Sequence, residues 1–238
     1  MPRIAPLEPP YPPEIQASFE AIMRGAPPLT LFRTLAVSRR AWTKFRAASL
    51  LDRGPLSLRQ RELVIDRTCA LAGCEYEWGV HVAIFAGPAG LTPDEVAATA
   101  GAGSAAPGWS PAERALLAAV EALHARATLS EAEFAALRAH HDTDQVLEVL
   151  LLCGFYRTVA YIANGLDLPP EPGAAPVAIW WRRPATTRIR RSPLMARASS
   201  SRRSAATTSG ATCTASIPGS TSSTWPAGSR ASCARAAR

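Results

Sequence analysis

Two carboxylates, a thiol and an imidazole are concentrated in one short region, at Glu62, Cys74, Glu77 and His81. Cys74, Glu77 and His81 are spaced at i, i+3 and i+7, so a helix would place all three on one face. A histidine beside a carboxylate has its tautomer fixed and its pKa raised, which suits proton transfer near neutral pH. The spacing therefore indicates an acid–base site, to which the preceding helix contributes Glu62.

The same residues also have an ordinary structural explanation. A Glu77–His81 pair is a common contact on helix surfaces, worth roughly 0.2–0.5 kcal/mol. Cys74 could be a small residue at a helix start, and Tyr76 and Trp78 could belong to the core. Spacing alone therefore supports a functional site and a structural arrangement about equally.

The helices that must position these residues are marked by capping boxes, in which a Ser or Thr hydroxyl and a Glu or Gln three residues later satisfy free backbone N–H groups. Two helical regions, about 14–24 and 29–51, precede the first box, and a turn at Gly73 follows the helix that carries Glu62. The boxes are Ser57–Gln60, Thr92–Glu95, Ser110–Glu113 and Ser130–Glu133, and Asp142 is expected to cap the last helix. No segment alternates with a period of two. The sequence predicts an all-α fold.

Charge is distributed unevenly along the 238 residues. The net charge of +7 would suggest a nucleic-acid or membrane partner if it were spread evenly. However, residues 173–238 contain eleven arginines and no Asp, Glu or Lys, so residues 1–172 hold 15 basic and 19 acidic residues. We predict a proline-rich arm (1–13), a mildly acidic helical domain (14–172) and an Arg/Ser/Thr-rich tail (173–238) that is disordered.

The tail has three competing interpretations. It could bind nucleic acid or acidic lipid through its arginines, or it could be an inert extension. We favour a third, out-of-frame translation of a GC-rich gene, because the chain uses 25 Arg to one Lys and acidic residues end abruptly at Glu171. An intact reading frame in several independent isolates would contradict this hypothesis, and nucleic acid is accordingly not an expected partner.

The cysteines and the apolar segments indicate the compartment. The five cysteines are odd in number and irregularly spaced, and the proline-rich start is unlike a secretory signal, so we predict reduced thiols in a cytoplasmic protein. The most apolar stretch, 146–166, is interrupted by Glu148, Arg157 and Asn164. Charged groups are costly in a bilayer, so this stretch is predicted to be a buried core helix and not a membrane span.

Several short motifs together carry a family resemblance. They are Arg61-Glu62-Leu63, Tyr76-Glu77-Trp78 with His81, Gly90-Leu91-Thr92, the segment 109–114 and the segment 154–169. On these motifs, residues from about 12 to 172 resemble the carboxymuconolactone decarboxylase family of the alkylhydroperoxidase-D-like superfamily. The resemblance implies a compact multihelical fold, assembly as a homo-oligomer (trimer or hexamer) with sites near subunit contacts, a small-molecule substrate, and no cofactor or metal.

The decarboxylase branch of this superfamily requires a proton donor and a cation. Loss of CO2 from a carboxylated unsaturated lactone leaves a dienolate, which the lactone carbonyl stabilises and an acid must protonate. The resemblance implies that His81 is the donor, that Glu77 orients it, and that Glu62 completes the relay or holds a water. Arg61 or Arg67 would bind the substrate carboxylates. Tyr76 would line the pocket or pack in the core.

The peroxidase branch carries a Cys-x-x-Cys pair followed by a histidine. Cys74 matches the first cysteine, but Glu77 occupies the position of the second, which is the one expected to meet peroxide. Cys69 lies five residues before Cys74 along a helix, on a different side, so the Gly73 turn would have to bring the two together. A helix N-terminus could still lower the pKa of Cys74, although Glu75 and Glu77 oppose this.

The function indicated is therefore cofactor-free decarboxylation of a small carboxylated lactone or a related intermediate of aromatic degradation. The first alternative is peroxiredoxin-type reduction of peroxide with Cys74 as the nucleophile. The second is a non-catalytic oligomer whose basic tail binds nucleic acid.

Overall fold

The computed structural model describes residues 2–176. The predicted tail beyond residue 176, with its three interpretations, lies outside the described residues. Within 2–176 the chain is helical and contains no β-strand, which confirms the predicted fold class. The elements are α1 (Pro13–Met23), α2 (Thr30–Leu35), α3 (Arg39–Ala47), α4 (Leu58–Leu71), α5 (Glu75–Phe85), α6 (Pro93–Ala100), a 3₁₀ turn (Gly103–Ala105), α7 (Pro111–Arg126), α8 (Glu131–Arg138) and α9 (Thr143–Gly165).

Capping residues determine where these helices begin. All four predicted Ser or Thr boxes are present, at the starts of α4, α6, α7 and α8. Asp142 forms a fifth box with Gln145 at the start of α9. Ser38 accepts a hydrogen bond from the backbone of Ala41 and begins α3, so the predicted helical region 29–51 is divided into α2 and α3. Each box satisfies two backbone N–H groups that the helix itself leaves without partners.

Helix α4 lies at the centre of the fold and contacts α5, α6, α7 and α9. Every residue from Glu62 to Ala70 is buried. Because the helix is enclosed on nearly all sides, its polar residues must find partners inside the protein. The charged side chains of α4 are therefore the part of the fold most constrained by their neighbours.

Helix α9, with 23 residues, is the longest helix in the part of the chain that the structure describes. By length and composition alone it could cross a membrane. In the fold, one face packs against α4, α5, α7 and α8, burying residues such as Val149, Leu152 and Tyr156. The opposite face exposes Leu147 and Leu151. The segment predicted to be a core helix is thus buried on one face and exposed on the other.

The N-terminal arm is tied to the helices. The backbone N–H of Arg3 donates to the carbonyl of Leu166 at 2.8 Å, and that of Leu7 donates to the carbonyl of Arg33 at 3.1 Å. Tyr11 packs edge-on against Phe19 of α1, with 5.1 Å between the ring centroids. The arm thus joins the end of α9 to the region of α1 and α2.

Candidate active site

The side chain of His81 lies between two carboxylates at the contact of α4 and α5. Its Nδ1 is 2.7 Å from Oε2 of Glu62, and its Nε2 is 3.4 Å from Oε1 of Glu77. The relative exposures of these residues are 3% for His81, 0% for Glu62 and 7% for Glu77. Both nitrogens of the imidazole therefore face acidic oxygens in a site that excludes bulk water.

This environment favours the protonated form of His81. Burial is the largest single influence and lowers the pKa, because a low-dielectric interior disfavours charge. The hydrogen bond to Glu62, the contact with Glu77 and the charges of both carboxylates act in the opposite direction and together prevail. They raise the pKa of His81 to about 10. The residue is an imidazolium at neutral pH, with a proton available for transfer.

Arg61 completes the set of charges around Glu62. Its Nε and Nη2 both lie 3.0 Å from Oε1 of Glu62, the oxygen that does not face His81. The guanidinium also lies over the ring of Phe85, 5.4 Å from its centroid. Its Nη1 donates to the carbonyl oxygens of Leu51 and Asp52 at 3.3 and 3.5 Å, which are long contacts. Glu62 thus bridges two cations, Arg61 and His81.

Asp66 is a buried member of this cluster that the sequence analysis missed. It lies one helical turn after Glu62, is 1% exposed, and its Oδ1 has no hydrogen-bond partner. Burial and the charge of Glu62 raise its pKa well above the ordinary value, against the opposing charge of His81. The buried environment therefore favours the neutral form of this carboxyl group. The i, i+4 spacing from Glu62 was the available signal in the sequence.

Cys74 immediately precedes α5 and is fully buried. Burial raises its pKa to about 12, with further contributions from the charges of Glu77 and Glu75. The backbone N–H groups of Glu77 and Tyr76 act in the opposite direction but are outweighed. The expected lowering by the helix N-terminus is therefore overcome, and the thiol is protonated at neutral pH.

The turn between α4 and α5 brings Cys69 and Cys74 together at the backbone. Gly73 has a positive φ of 65°, which glycine adopts without strain. The N–H of Cys74 donates to the carbonyl of Cys69 at 2.9 Å, the 6→1 bond of a Schellman motif. The turn that the sequence argument required is thus present. Both cysteines are unpaired thiols, and burial also raises the pKa of Cys69.

Two residues expected to bind substrate have other partners. Arg67 lies among α6 and α7, where Nη2 is 2.7 Å from Oε1 of Glu121 and Nη1 donates to the carbonyls of Thr99 and Gly101. The expectation that Arg67 serves the substrate is corrected accordingly, because its donors are already used for packing α4 against α6 and α7. The hydroxyl of Tyr76 accepts a hydrogen bond from the backbone of Leu31 at 3.0 Å and donates to Glu171.

The aromatic residues around the cluster also differ in role. Trp78 donates from Nε1 to the hydroxyl of Thr99 at 3.0 Å and belongs to the core. Tyr156 of α9 packs edge-on against His81, with 5.0 Å between centroids, and Phe85 lies 5.3 Å from the same imidazole. These rings fix the plane of His81. Within residues 2–176, no group of His, Cys, Asp and Glu side chains has an arrangement suited to holding a metal ion.

Part of the chain matches a known protein family. Residues 38–122, which contain all four candidate catalytic residues, match the profile of the carboxymuconolactone decarboxylase family. A comparison with curated protein sequences found no match.

Among solved structures, an uncharacterized peroxidase-related protein from Silicibacter sp. TM1040 is 20% identical, with a TM-score of 0.62 over 70% of this chain and 89% of that chain. An alkylhydroperoxidase AhpD core protein from Ralstonia eutropha JMP134, also described as peroxidase-related, is 22% identical, with a TM-score of 0.59 over 71% and 93%. A variant of the debrominase Bmp8 in complex with 2,3,4-tribromopyrrole is 16% identical, with a TM-score of 0.58 over 71% and 92%. At these identities the likeness is one of fold, and the fold is alkylhydroperoxidase-D-like.

Proposed function

We propose that this chain, whose residues 38–122 match the carboxymuconolactone decarboxylase family, is a lyase that decarboxylates a small carboxylated lactone without a cofactor. The observation that carries the proposal is the buried imidazolium of His81, held between Glu62 and Glu77. The cluster pairs two cations, His81 and Arg61, with the carboxylates of Glu62 and Glu77. This arrangement stabilises a proton on His81 that can be transferred to a substrate.

In the proposed reaction, the bond between the lactone ring and its carboxylate breaks and CO2 leaves. The electron pair of that bond delocalises into the unsaturated lactone as a dienolate. His81 then protonates the dienolate carbon and is reprotonated from water. Glu62 and Glu77 hold the imidazole in place and stabilise its charged form, as carboxylates do for histidine acids and bases in other enzymes.

Arg61 is the proposed binding group for the substrate carboxylate. Its side chain is 11% exposed, which makes it the most accessible charged group of the cluster. Two of its contacts, to the carbonyls of Leu51 and Asp52, are long and involve neutral acceptors. A substrate carboxylate would replace these carbonyls with a charge-assisted pair, which is roughly twice as strong. We therefore place the route to the site beside the loop that joins α3 to α4.

Thiol-dependent peroxide reduction is the second candidate, and the Schellman turn favours it. That turn brings the backbones of Cys69 and Cys74 together, so a sulfenic acid formed by peroxide on one sulfur could condense with the other thiol to a disulfide, with loss of water. The raised pKa values of both cysteines argue against it, because the thiolate is the reactive form. We rank this activity below decarboxylation.

One experiment separates the two activities. Purified full-length protein is incubated with carboxymuconolactone while CO2 release is followed, and in parallel with hydrogen peroxide and dithiothreitol while peroxide is followed. For the proposed lyase, His81→Gln lowers CO2 release by about 10²-fold or more, the scale of a lost general acid, and Cys74→Ser lowers it much less. Peroxide turnover that disappears in Cys74→Ser, without CO2 release by the wild type, would replace the lyase by a thiol peroxidase.

A further inference from the structure

A cavity lies between α7 and α9, and none of its lining residues belongs to the His81 cluster. Its volume is about 350 Å³. Its lining includes the apolar side chains of Val120, Leu123 and Leu150 and the polar side chains of His124, Arg157 and Tyr161. His124 of α7 thus takes part in a polar group with residues of α9.

The hydrogen bonds fix which atoms of this group remain free. Nη1 of Arg157 can only donate, so Nδ1 of His124 accepts from it. The ring proton of a neutral His124 must then be on Nε2. Burial and the charges of Arg157 and Arg67 lower the pKa of His124, which agrees with the neutral form. His124 is thus left with a donor and no free acceptor nitrogen.

Tyr161 is oriented by the same arginine. Nε of Arg157 donates to the hydroxyl oxygen of Tyr161 at 3.1 Å, and the guanidinium lies over the tyrosine ring, 5.5 Å from its centroid. The phenolic proton of Tyr161 is then free to donate elsewhere. Arg157, His124 and Tyr161, all of which line the cavity, therefore each retain a free hydrogen-bond donor.

The charge of Arg157 is not balanced locally. In the part of the chain that the structure describes, no Asp or Glu oxygen lies within ion-pair distance of its guanidinium, although most other arginines with close partners have a carboxylate. Its two polar partners, His124 and Tyr161, are neutral acceptors. A half-buried cation with this set of partners favours an anion.

We propose that the α7–α9 cavity binds a small organic carboxylate. Its oxygens would accept hydrogen bonds from Arg157, His124 and Tyr161, and its apolar body would lie against Val120, Leu123 and Leu150. This proposal does not depend on decarboxylation at His81. A bare inorganic anion would leave the apolar lining residues without a partner, and a neutral apolar ligand would leave the charge of Arg157 unbalanced.

The test uses benzoate as the probe and isothermal titration calorimetry on the full chain at neutral pH. We expect saturable binding of benzoate and much weaker binding of benzamide, which has the same shape without the charge. Arg157→Gln is expected to lower benzoate affinity about tenfold or more, since it removes a charge-assisted contact. Tyr161→Phe, at a position that is 64% exposed and tolerant of the change, is expected to lower it by a smaller factor.

Two controls identify where benzoate binds. Arg40→Gln removes an exposed arginine of α3 outside the cavity and should leave the affinity unchanged. Arg61→Gln reports on the His81 cluster. Affinity that is lost in Arg61→Gln but retained in Arg157→Gln and Tyr161→Phe would overturn the proposal, because the probe would then occupy the cluster. Equal binding of benzamide, stronger binding of inorganic phosphate, or no saturable binding of benzoate would overturn it as well.

Discussion

Replacing Glu62 by Gln tests how the cluster keeps a proton on His81. In the wild type, a pKa of about 10 against the ordinary value of 6.5 corresponds to roughly 5 kcal/mol in favour of the imidazolium. Glu62 is the nearer carboxylate, at 2.7 Å compared with 3.4 Å for Glu77. A glutamine at position 62 keeps an acceptor oxygen in place but removes the charge.

The magnitude follows from the contact that is lost. A hydrogen bond to a charged group contributes roughly 1.5–3 kcal/mol, and each factor of ten in a proton equilibrium corresponds to about 1.4 kcal/mol. Burial of His81, which lowers its pKa, is then opposed by Glu77 alone. We expect the pKa of His81 in Glu62→Gln to fall by roughly one to two units, from about 10 to roughly 8–9.

The assay is an NMR titration of the ring nitrogens in protein labelled with ¹⁵N-histidine. Comparison with His81→Gln assigns the resonances among the four histidines of the chain. Glu121→Gln is the matched control, since it removes a carboxylate that pairs with Arg67, away from His81. A His81 pKa in Glu62→Gln that equals the wild-type value would refute the claim that the carboxylates hold the proton.

The same shift has a consequence for stability. The folded pKa of His81 lies above its unfolded value, so the folded state binds the proton more tightly. The resulting stabilisation is fully present below pH 6.5 and is lost as the pH rises through about 10. In Glu62→Gln, the decline in unfolding free energy should therefore begin near pH 6.5, as in the wild type, but end at a lower pH and be smaller in total, as measured by urea denaturation.

Three further predictions concern the surroundings of the cluster. Because the pKa of Asp66 is raised, the unfolding free energy of the wild type should fall as the pH rises above the ordinary pKa of aspartate. Asp66→Asn should remove that decline in urea titrations. An unchanged pH profile in Asp66→Asn would contradict the raised pKa. Arg67→Met leaves Glu121 without its ion-pair partner and should lower the unfolding free energy by roughly 3 kcal/mol. CO2 release by the folded fraction should persist. A loss of substrate binding with unchanged stability would show instead that Arg67 binds the substrate. Ser110→Ala breaks the capping box of α7 and should cost about 1 kcal/mol in chemical denaturation; no change would mean that the cap contributes nothing to the start of α7.

The helix starts could be predicted from the sequence because capping is local. A Ser at position 57 and a Gln three residues later need no distant partner to form their hydrogen bonds, and both bonds are present. The pairing of Glu62 with His81 was also accessible, because Gly73 indicates the turn that folds α5 back onto α4. Both features could be predicted because they depend on residue types that lie close together in the sequence.

The properties that could not be predicted from the sequence depend on burial and on contacts between residues far apart in the chain. Whether Cys74 has a raised or lowered pKa is decided by its enclosure among other helices, which outweighs the nearby N–H groups of α5. The partner of Arg67 lies 54 residues away at Glu121, and His124 and Arg157 are 33 residues apart. The sequence shows where the helices lie along the chain but not which helix faces pack together. The Arg67–Glu121 and His124–Arg157 pairs depend on that packing.

The rate of CO2 release from carboxymuconolactone as a function of pH tests the central claim most directly. If the imidazolium of His81 is the proton donor, the rate is steady near neutral pH and falls as the pH rises through about 10. An activity that instead rises at high pH towards about 12, as ionisation of Cys74 would produce, contradicts the account and assigns the chemistry to the thiol.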